Sequence, residues 1–183
     1  MSKILILYHS SHGSVANMAH EFADTIVSQG GEAIVRVFEK RQDHDVVVTK
    51  QDLVGCDGLA FGTPTRFGMM AAQAKAFWET TSELWLKGAL IDKPACVFSS
   101  SSSMHGGNEA TLLNLSLPLL HHGMMLLGIP YDVPELLATE MGGTPYGATH
   151  VAGSQNNTSL TQTEIKICRA AASRLLRVAE KLT

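Results

Sequence analysis

The sequence predicts an α/β fold of three layers, in which a five-stranded parallel sheet carries helices on both faces. Short apolar runs alternate along the chain with helix-like segments, and glycine, proline and serine clusters separate them. The first run, residues 3–8, is apolar almost throughout, as expected for a strand buried on both faces. Five strand–helix units in series require right-handed crossovers and parallel strands. We expect residues 1–183 to form one domain, since no linker or repeat interrupts them.

The first helix is predicted over residues 15–29, directly after the first strand and its loop. Ser14 is its expected N-cap, and the Gly30-Gly31 pair is expected to end it. Apolar side chains recur at helical spacing in this segment, which indicates one face packed on a core. The side chains predicted to point inward are Met18, Phe22, Ile26 and Val27.

The later elements follow the same alternation. Strands two to five are predicted over residues 32–37, 58–61, 94–99 and 124–127. Helical segments are predicted over residues 51–54, 71–81 and 108–122, with a final amphipathic helix after residue 160. Residues 82–93 and 128–160 are expected to be connections, the first of which carries Trp85.

The composition excludes several classes of protein. The formal net charge is −3, with 14 basic and 17 acidic residues, so no nucleic-acid-binding surface is expected. No apolar stretch is long enough to insert into a membrane, and the first residues do not resemble a signal peptide. Cys56, Cys96 and Cys168 are widely spaced and odd in number, which argues against a disulfide framework or a metal site. We expect a cytoplasmic protein.

The loop after the first strand, His9–Ser14, is a candidate anion site. It combines three serine hydroxyls and a glycine with the amides of a helix start. No Gly-Lys-Ser/Thr follows, and the G-x-G-x-x-G spacing is absent, so neither a P-loop nor a dinucleotide fingerprint is present. A phosphate monoester fits this loop better than a triphosphate does. The alternative is that the serines only cap the helix and form a turn.

The loop after the third strand is a candidate site for a flat ligand. Residues 61–70 contain Gly62 and Pro64, two threonines, Arg66 and Phe67. Such a segment can present backbone amides and an aromatic surface to a planar polar molecule. Taken alone, it would also suit an ordinary strand-to-helix connection.

Three other features are candidates for ligand contact. A run of five serines, residues 99–103, follows the fourth strand, and Trp85 can stack on a flat ring. The pair His121-His122 can hydrogen-bond a ligand, although it can also serve as a favourable helix end; a metal site is disfavoured, since no other metal-ligand side chain stands nearby. No nucleophile elbow or carboxylate pair appears, so the reactive group would come from a cofactor.

Together these segments resemble the WrbA family of flavodoxin-like, FMN-dependent NAD(P)H:quinone oxidoreductases. The resemblance covers nearly the whole chain, and residues 61–68 and the glycine-rich loop 142–149 carry most of it. The other matching segments are residues 7–10, 84–85, 88–90, 98–100, 121–124 and 152–153. The resemblance implies a flavodoxin-like sheet with strand order 2-1-3-4-5.

The resemblance also implies roles for individual residues. The FMN phosphate would be held by Ser10, Ser11, His12, Gly13, Ser14 and Val15. The isoalloxazine ring would contact Pro64, Thr65, Arg66, Phe67 and Gly68, and its edge would contact Ser100, Ser101, Ser102, Ser103 and Gly106. His121 would be the catalytic residue and would contact the cofactor, from the same or a neighbouring subunit. Trp85 and His12 would contact the substrate, and His12 stands where the family has a tyrosine.

The implied function is a ping-pong oxidoreductase. NADH or NADPH would donate a hydride and leave, and a quinone would then take two electrons and become the quinol. The assembly would be a homotetramer, with a dimer as the alternative. The second hypothesis is a flavodoxin-like electron carrier that binds FMN and passes electrons to partner proteins; such carriers usually have a strongly acidic surface. A receiver-like signalling domain would require acidic residues where His9-Ser10 follows the first strand.

Overall fold

A computed structural model describes residues 1–183 and contains one parallel sheet. The strands are β1 (Lys3–Tyr8), β2 (Glu32–Val37), β3 (Gly58–Pro64), β4 (Pro94–Ser101), β5 (Met125–Leu126) and β6 (Ala148–Val151). The order β2-β1-β3-β4-β5 confirms the predicted order. The predicted count of five strands was one too low, because β6 also pairs with β4. Since β5 pairs only with Pro94 and Ala95, the rest of that edge of β4 is free for β6.

Seven helices connect the strands. They are α1 (Ser14–Ser28), α2 (Lys50–Gly55), α3 (Ala72–Glu79), α4 (Ser82–Leu86), α5 (Asn108–His121), α6 (Glu135–Ala138) and α7 (Gln162–Leu182). Two predicted connections therefore contain helices: α4 carries Trp85, and α6 lies in the long segment before β6. None of the helices combines the length and the apolar character needed to cross a membrane.

The sheet separates two hydrophobic cores. On one face, α1 and α7 pack against the sheet, and Phe22 of α1 stacks on Phe98 of β4 with ring centroids 4.9 Å apart. On the other face, α2 to α5 cover the sheet, and Phe61 of β3 meets Trp78 of α3 edge to face at 5.6 Å. The three-layer prediction is thus confirmed, and the carboxyl ends of β1, β3 and β4 meet at one rim.

Helix α1 differs from its prediction in two details. Its N-cap is Gly13, in the left-handed region at φ 109°, and Ser14 is the first helical residue. Val27 was predicted to point inward but is exposed. Nine residues separate Val27 from the buried Met18, which is two and a half turns at 3.6 residues per turn. Val27 therefore lies on the opposite side of the helix from Met18.

A buried ion pair ties β6 to the start of α7. His150 Nδ1 and Glu164 Oε2 are 3.0 Å apart, and neither side chain is exposed. Glu164 also accepts from three backbone N–H groups, those of Gly142, Val151 and Thr161, at 2.8–3.1 Å. His150 Nε2 donates to the Asn157 carbonyl at 2.8 Å. Both ring nitrogens thus donate, so the imidazole is the charged partner of a carboxylate.

Candidate functional site

A small polar pocket lies at the rim where β1, β3 and β4 end. Its volume is only about 70 Å³, which suits a small anion such as a phosphate group and not a ring system. Of the predicted site residues, the pocket is lined by Ser10, Ser11, His12, Ser14, Val15, Pro64, Thr65, Arg66, Ser100, Ser101 and Ser102. These residues belong to three loops that are far apart in the sequence, and the parallel topology of the sheet brings the three loops together.

The first loop leaves hydrogen-bond donors available in this pocket. Ser10 Oγ accepts from the Gly13 N–H at 3.1 Å and so holds the turn before α1. No side chain caps α1, and its first backbone bond runs from the Asn17 N–H to the Gly13 carbonyl. The N–H groups of the first turn therefore have no acceptor in the protein. Uncapped N–H groups at a helix start attract anions.

Ser11 lies between two basic side chains. Arg66 Nη2 donates to Ser11 Oγ at 2.5 Å, and His9 Nε2 is 3.3 Å from the same oxygen. His9 is buried, and its Nδ1 lies 3.8 Å from a carboxylate oxygen of Glu39. Burial lowers the pKa of His9, against the opposing effect of the Glu39 carboxylate, and Arg41 and Arg66 lower it further. His9 was predicted only as part of the loop.

The segment after β3 forms a tight turn with an exposed aromatic ring. Arg66 and Met69 exchange two backbone hydrogen bonds of 2.8 and 3.0 Å. The two residues between them, Phe67 and Gly68, have φ 53° and 78°. Two positive φ values are characteristic of a type I′ turn, and a left-handed phenylalanine is a strained residue. The Phe67 side chain is fully exposed. Strain of this kind is concentrated at ligand-binding sites.

The serine-rich loop divides into two parts. Ser100 to Ser102 reach the pocket, whereas Ser103 and Gly106 do not line it. Instead, the Ser103 carbonyl accepts from the Ser101 hydroxyl at 2.7 Å and from the Gly106 N–H at 3.1 Å. Ser103 and Gly106 thus shape the loop, while their predicted contact with the cofactor remains a prediction.

A fourth segment, missed by sequence reasoning, closes the pocket. Ala152 and Asn156 line it, directly after β6. The Ala152 N–H donates to the Ser101 carbonyl at 2.8 Å, so the segment continues the pairing of β6 with β4. Asn156 has φ 51°. The only signal in the sequence was the resemblance of residues 142–149 and 152–153 to a known family.

The predicted catalytic and substrate residues lie in a second cavity. A groove of about 980 Å³ between α3, α4 and α5 contains both Trp85 and His121. Arg66 lines this groove as well as the phosphate-sized pocket, and it is the one residue that they share. His12 lines the pocket and not the groove. The structure therefore brings Trp85 and His121 together in the groove, which meets the pocket only at Arg66.

His122 also lines this groove and makes a structural contact. Its Nε2 is 2.9 Å from Thr81 Oγ1, and its ring is 5.4 Å from the ring of Trp78. Burial lowers the pKa of His122, and the neighbouring His121 lowers it further. His122 thus connects α5 to α3 as a buried, neutral group.

The donor set fits an FMN molecule. The uncapped start of α1, the serine hydroxyls and Arg66 suit a phosphate dianion. The Phe67 ring is fully exposed a few residues along the same rim, as expected of a surface that contacts a flat ring. No residue of the pocket carries a negative charge that would oppose the phosphate.

The chain is similar over most or all of its length to known proteins. Residues 3–131 match the family model described as NADPH-dependent FMN reductase. A protein of Chromohalobacter salexigens named NAD(P)H dehydrogenase (quinone) is 38% identical, with 100% of this chain and 99% of that protein covered. A protein of the same name from Trichlorobacter lovleyi is 36% identical with full coverage of both chains.

Solved structures agree on the fold. The flavodoxin, WrbA-like protein from Agrobacterium tumefaciens superposes with a TM-score of 0.75 at 22% identity and covers 100% of both chains. A flavodoxin from the domain Archaea superposes with a TM-score of 0.67 at 18% identity, covering 97% of this chain and 99% of its own. The predicted flavodoxin-like fold and the predicted resemblance are both confirmed. The chain belongs to the NADPH-dependent FMN reductase family.

Proposed function

We propose that the protein is an FMN-dependent NAD(P)H:quinone oxidoreductase. One observation carries this proposal: a phosphate-sized pocket with an uncapped helix start lies beside the fully exposed, strained Phe67. The curated relatives named NAD(P)H dehydrogenase (quinone) support the reaction class. When bound, FMN supplies the hydride chemistry that links NADH or NADPH to the quinone.

The residues of the chain bind FMN and orient it. The hydroxyls of Ser10 and Ser11 and the amides of α1 hold the phosphate, and Arg66 contributes a positive charge to the same pocket. The Thr65–Gly68 turn is held by a bond from the Gly68 N–H to Thr65 Oγ1 at 3.2 Å and by one from the Thr111 hydroxyl at 2.7 Å. This rigid turn positions Phe67 against the flavin. The groove next to Arg66 is large enough for a flat substrate.

FMN titration tests the proposal directly. We expect the fluorescence of FMN to be quenched with a one-to-one end point, and the loaded protein to oxidise NADH or NADPH continuously when a benzoquinone is added. Riboflavin, which lacks the phosphate, should bind more weakly. FMN that stays free in solution would refute the proposal. Bound FMN without quinone turnover would favour the electron-carrier hypothesis instead.

His121 is proposed to stabilise negative charge on the reacting molecules, since an imidazole N–H can donate a hydrogen bond to an anionic oxygen. Helix α5 begins next to the pocket and spans 14 residues, which is about 21 Å, so His121 lies at its far end. We therefore propose that it acts at the site of a neighbouring copy. We expect His121→Ala to lower quinone turnover by about 10²-fold or more, with FMN occupancy unchanged. Unchanged turnover at full occupancy would contradict this role.

A homotetramer is proposed as the assembly. Three leucines of α5, Leu113, Leu117 and Leu120, are each more than half exposed and are spaced as one helix face. Sedimentation velocity measures the mass, and a monomer at micromolar concentration would contradict the proposal.

A single domain and a cytoplasmic location, with no nucleic-acid partner, are proposed as well. The three buried, unpaired cysteines are in keeping with a reducing compartment.

A further inference from the structure

His9 is a buried titratable group that the proposed reaction does not use. It follows β1 directly and precedes Ser10 and Ser11, which line the phosphate-sized pocket. Its Nε2 faces Ser11 Oγ at 3.3 Å, and its Nδ1 faces the Glu39 carboxylate at 3.8 Å. The other charges that act on it are those of Arg41 and Arg66. The one hydrogen-bond contact between the His9 ring and a side chain of the pocket is therefore that with the Ser11 hydroxyl.

Hydrogen-bond direction links the charge of His9 to the chemistry of Ser11. A hydroxyl has one hydrogen to donate, and Ser11 Oγ already accepts from Arg66. When His9 is neutral, the proton on Nδ1 points toward Glu39, and Nε2 accepts the Ser11 hydrogen. The other tautomer would place the Nδ1 lone pair opposite a carboxylate, which is unfavourable. In this state Ser11 has no hydrogen left for an anion in the pocket.

Protonation reverses this arrangement. The charged imidazole donates from both nitrogens, to Glu39 and to Ser11. The hydrogen of Ser11 is then free to turn toward the pocket, where an anion would accept it. We propose that His9 takes up a proton when the phosphate of FMN binds, which converts the Ser11 hydroxyl into a donor to that phosphate. His9 is thus a positioning residue for the cofactor site, and the inference rests on the proposed function for the identity of the ligand.

Proton uptake by His9 sets the direction in which FMN affinity depends on pH. Burial keeps the pKa of His9 below its ordinary value in the free protein, so the group starts neutral at neutral pH. A bound phosphate dianion favours the charged form and raises the pKa. FMN affinity therefore falls as pH rises between these two pKa values, by up to about tenfold per pH unit. The phosphate's own second ionisation, at about pH 6, acts in the opposite direction, so measurements belong above about pH 7.

Proton uptake can be measured without catalysis. FMN is titrated into the cofactor-free protein by isothermal calorimetry at about pH 7.5, where the phosphate is already a dianion, in Tris and in HEPES. The difference in apparent enthalpy between buffers gives the number of protons bound. We expect the parent protein to take up a measurable fraction of one proton with FMN and none with riboflavin. FMN binding with no proton uptake would overturn this inference and leave the proposed function intact.

Two variants distinguish His9 from His12, the exposed imidazole in the same pocket. In His9→Gln, the side-chain amide can donate to Ser11 at every pH, so proton uptake should vanish. Ser11→Ala keeps His9 but removes the hydroxyl that links it to the phosphate, and it should reduce the uptake. It serves as the test if His9→Gln fails to fold. Uptake equal to that of the parent in either variant would overturn the assignment to His9.

Discussion

Replacing Ser10 with aspartate should reduce FMN affinity by about a thousandfold. Two like charges about 4 Å apart repel by about 4 kcal/mol at the effective dielectric constant of a partly buried site, and each 1.4 kcal/mol is about tenfold in affinity. Ser10 lines the pocket and contacts no other side chain through its Oγ, which accepts from the Gly13 N–H. An aspartate can accept the same bond, so the turn should survive. Fluorescence quenching of FMN measures the loss.

The matched control is Ser10→Asn, because asparagine has nearly the same shape as aspartate but carries no charge. We expect it to bind FMN within about tenfold of the parent, since it can keep the bond to Gly13. Riboflavin affinity should differ little between the two variants, because riboflavin carries no phosphate. Equal FMN affinity in Ser10→Asp and Ser10→Asn would show that this pocket does not hold the phosphate.

Glu164→Gln should cost about 3–5 kcal/mol of unfolding free energy, the usual range when one partner of a buried ion pair is removed. The carboxylate accepts three backbone N–H groups and pairs with His150, all without exposure to water. A glutamine offers one acceptor oxygen, and its NH₂ group would face donors. Urea denaturation monitored by circular dichroism measures the change. Glu180→Gln, an exposed position on the same helix, should change stability by no more than about 0.5 kcal/mol.

The same pair makes stability depend on pH. Burial lowers the pKa of His150, but hydrogen bonds to Glu164 and Asn157 outweigh it, so the pKa lies above its ordinary 6.5. Burial has the opposite effect on Glu164 and raises its pKa, but hydrogen bonds from His150 and from the backbone outweigh burial and bring the pKa of Glu164 below 4.5. The His150 contribution is complete below pH 6.5 and is lost as pH rises through its folded pKa. The Glu164 contribution is present above pH 4.5 and is lost as pH falls through its folded pKa. The pair should therefore stabilise the folded protein most between pH 4.5 and 6.5. Glu164→Gln should remove this maximum in the free energy of unfolding.

The features predicted correctly from the sequence have strong local signals. The continuous apolar run of β1 and the periodic pattern of α1 are visible without the fold, and their order along the chain implies the parallel sheet. The three loops that meet at the pocket were predicted because each follows a strand. Their meeting follows from topology, since the carboxyl ends of parallel strands share one rim.

The features that were missed depend on tertiary contacts. Strand β6 has only four residues, among them the buried His150, and it forms because β4 has a free edge beyond β5. No periodicity marks so short a segment. Helix α4 has five residues and is equally difficult to detect. The proposed role of His9 cannot be read from the sequence, because it depends on where Ser11 and Glu39 lie in space.

The late position of β6 has a consequence for the synthesis of the protein. The pocket begins with Ser10 and is completed by Ala152 and Asn156, and the segment carrying the last two is anchored by Glu164 of α7. Chains leave the ribosome amino terminus first, at about 5–20 residues per second. A nascent chain therefore has no complete phosphate-sized pocket until the residues up to Glu164 have been translated, so we expect cofactor capture to follow the synthesis of the first five strands.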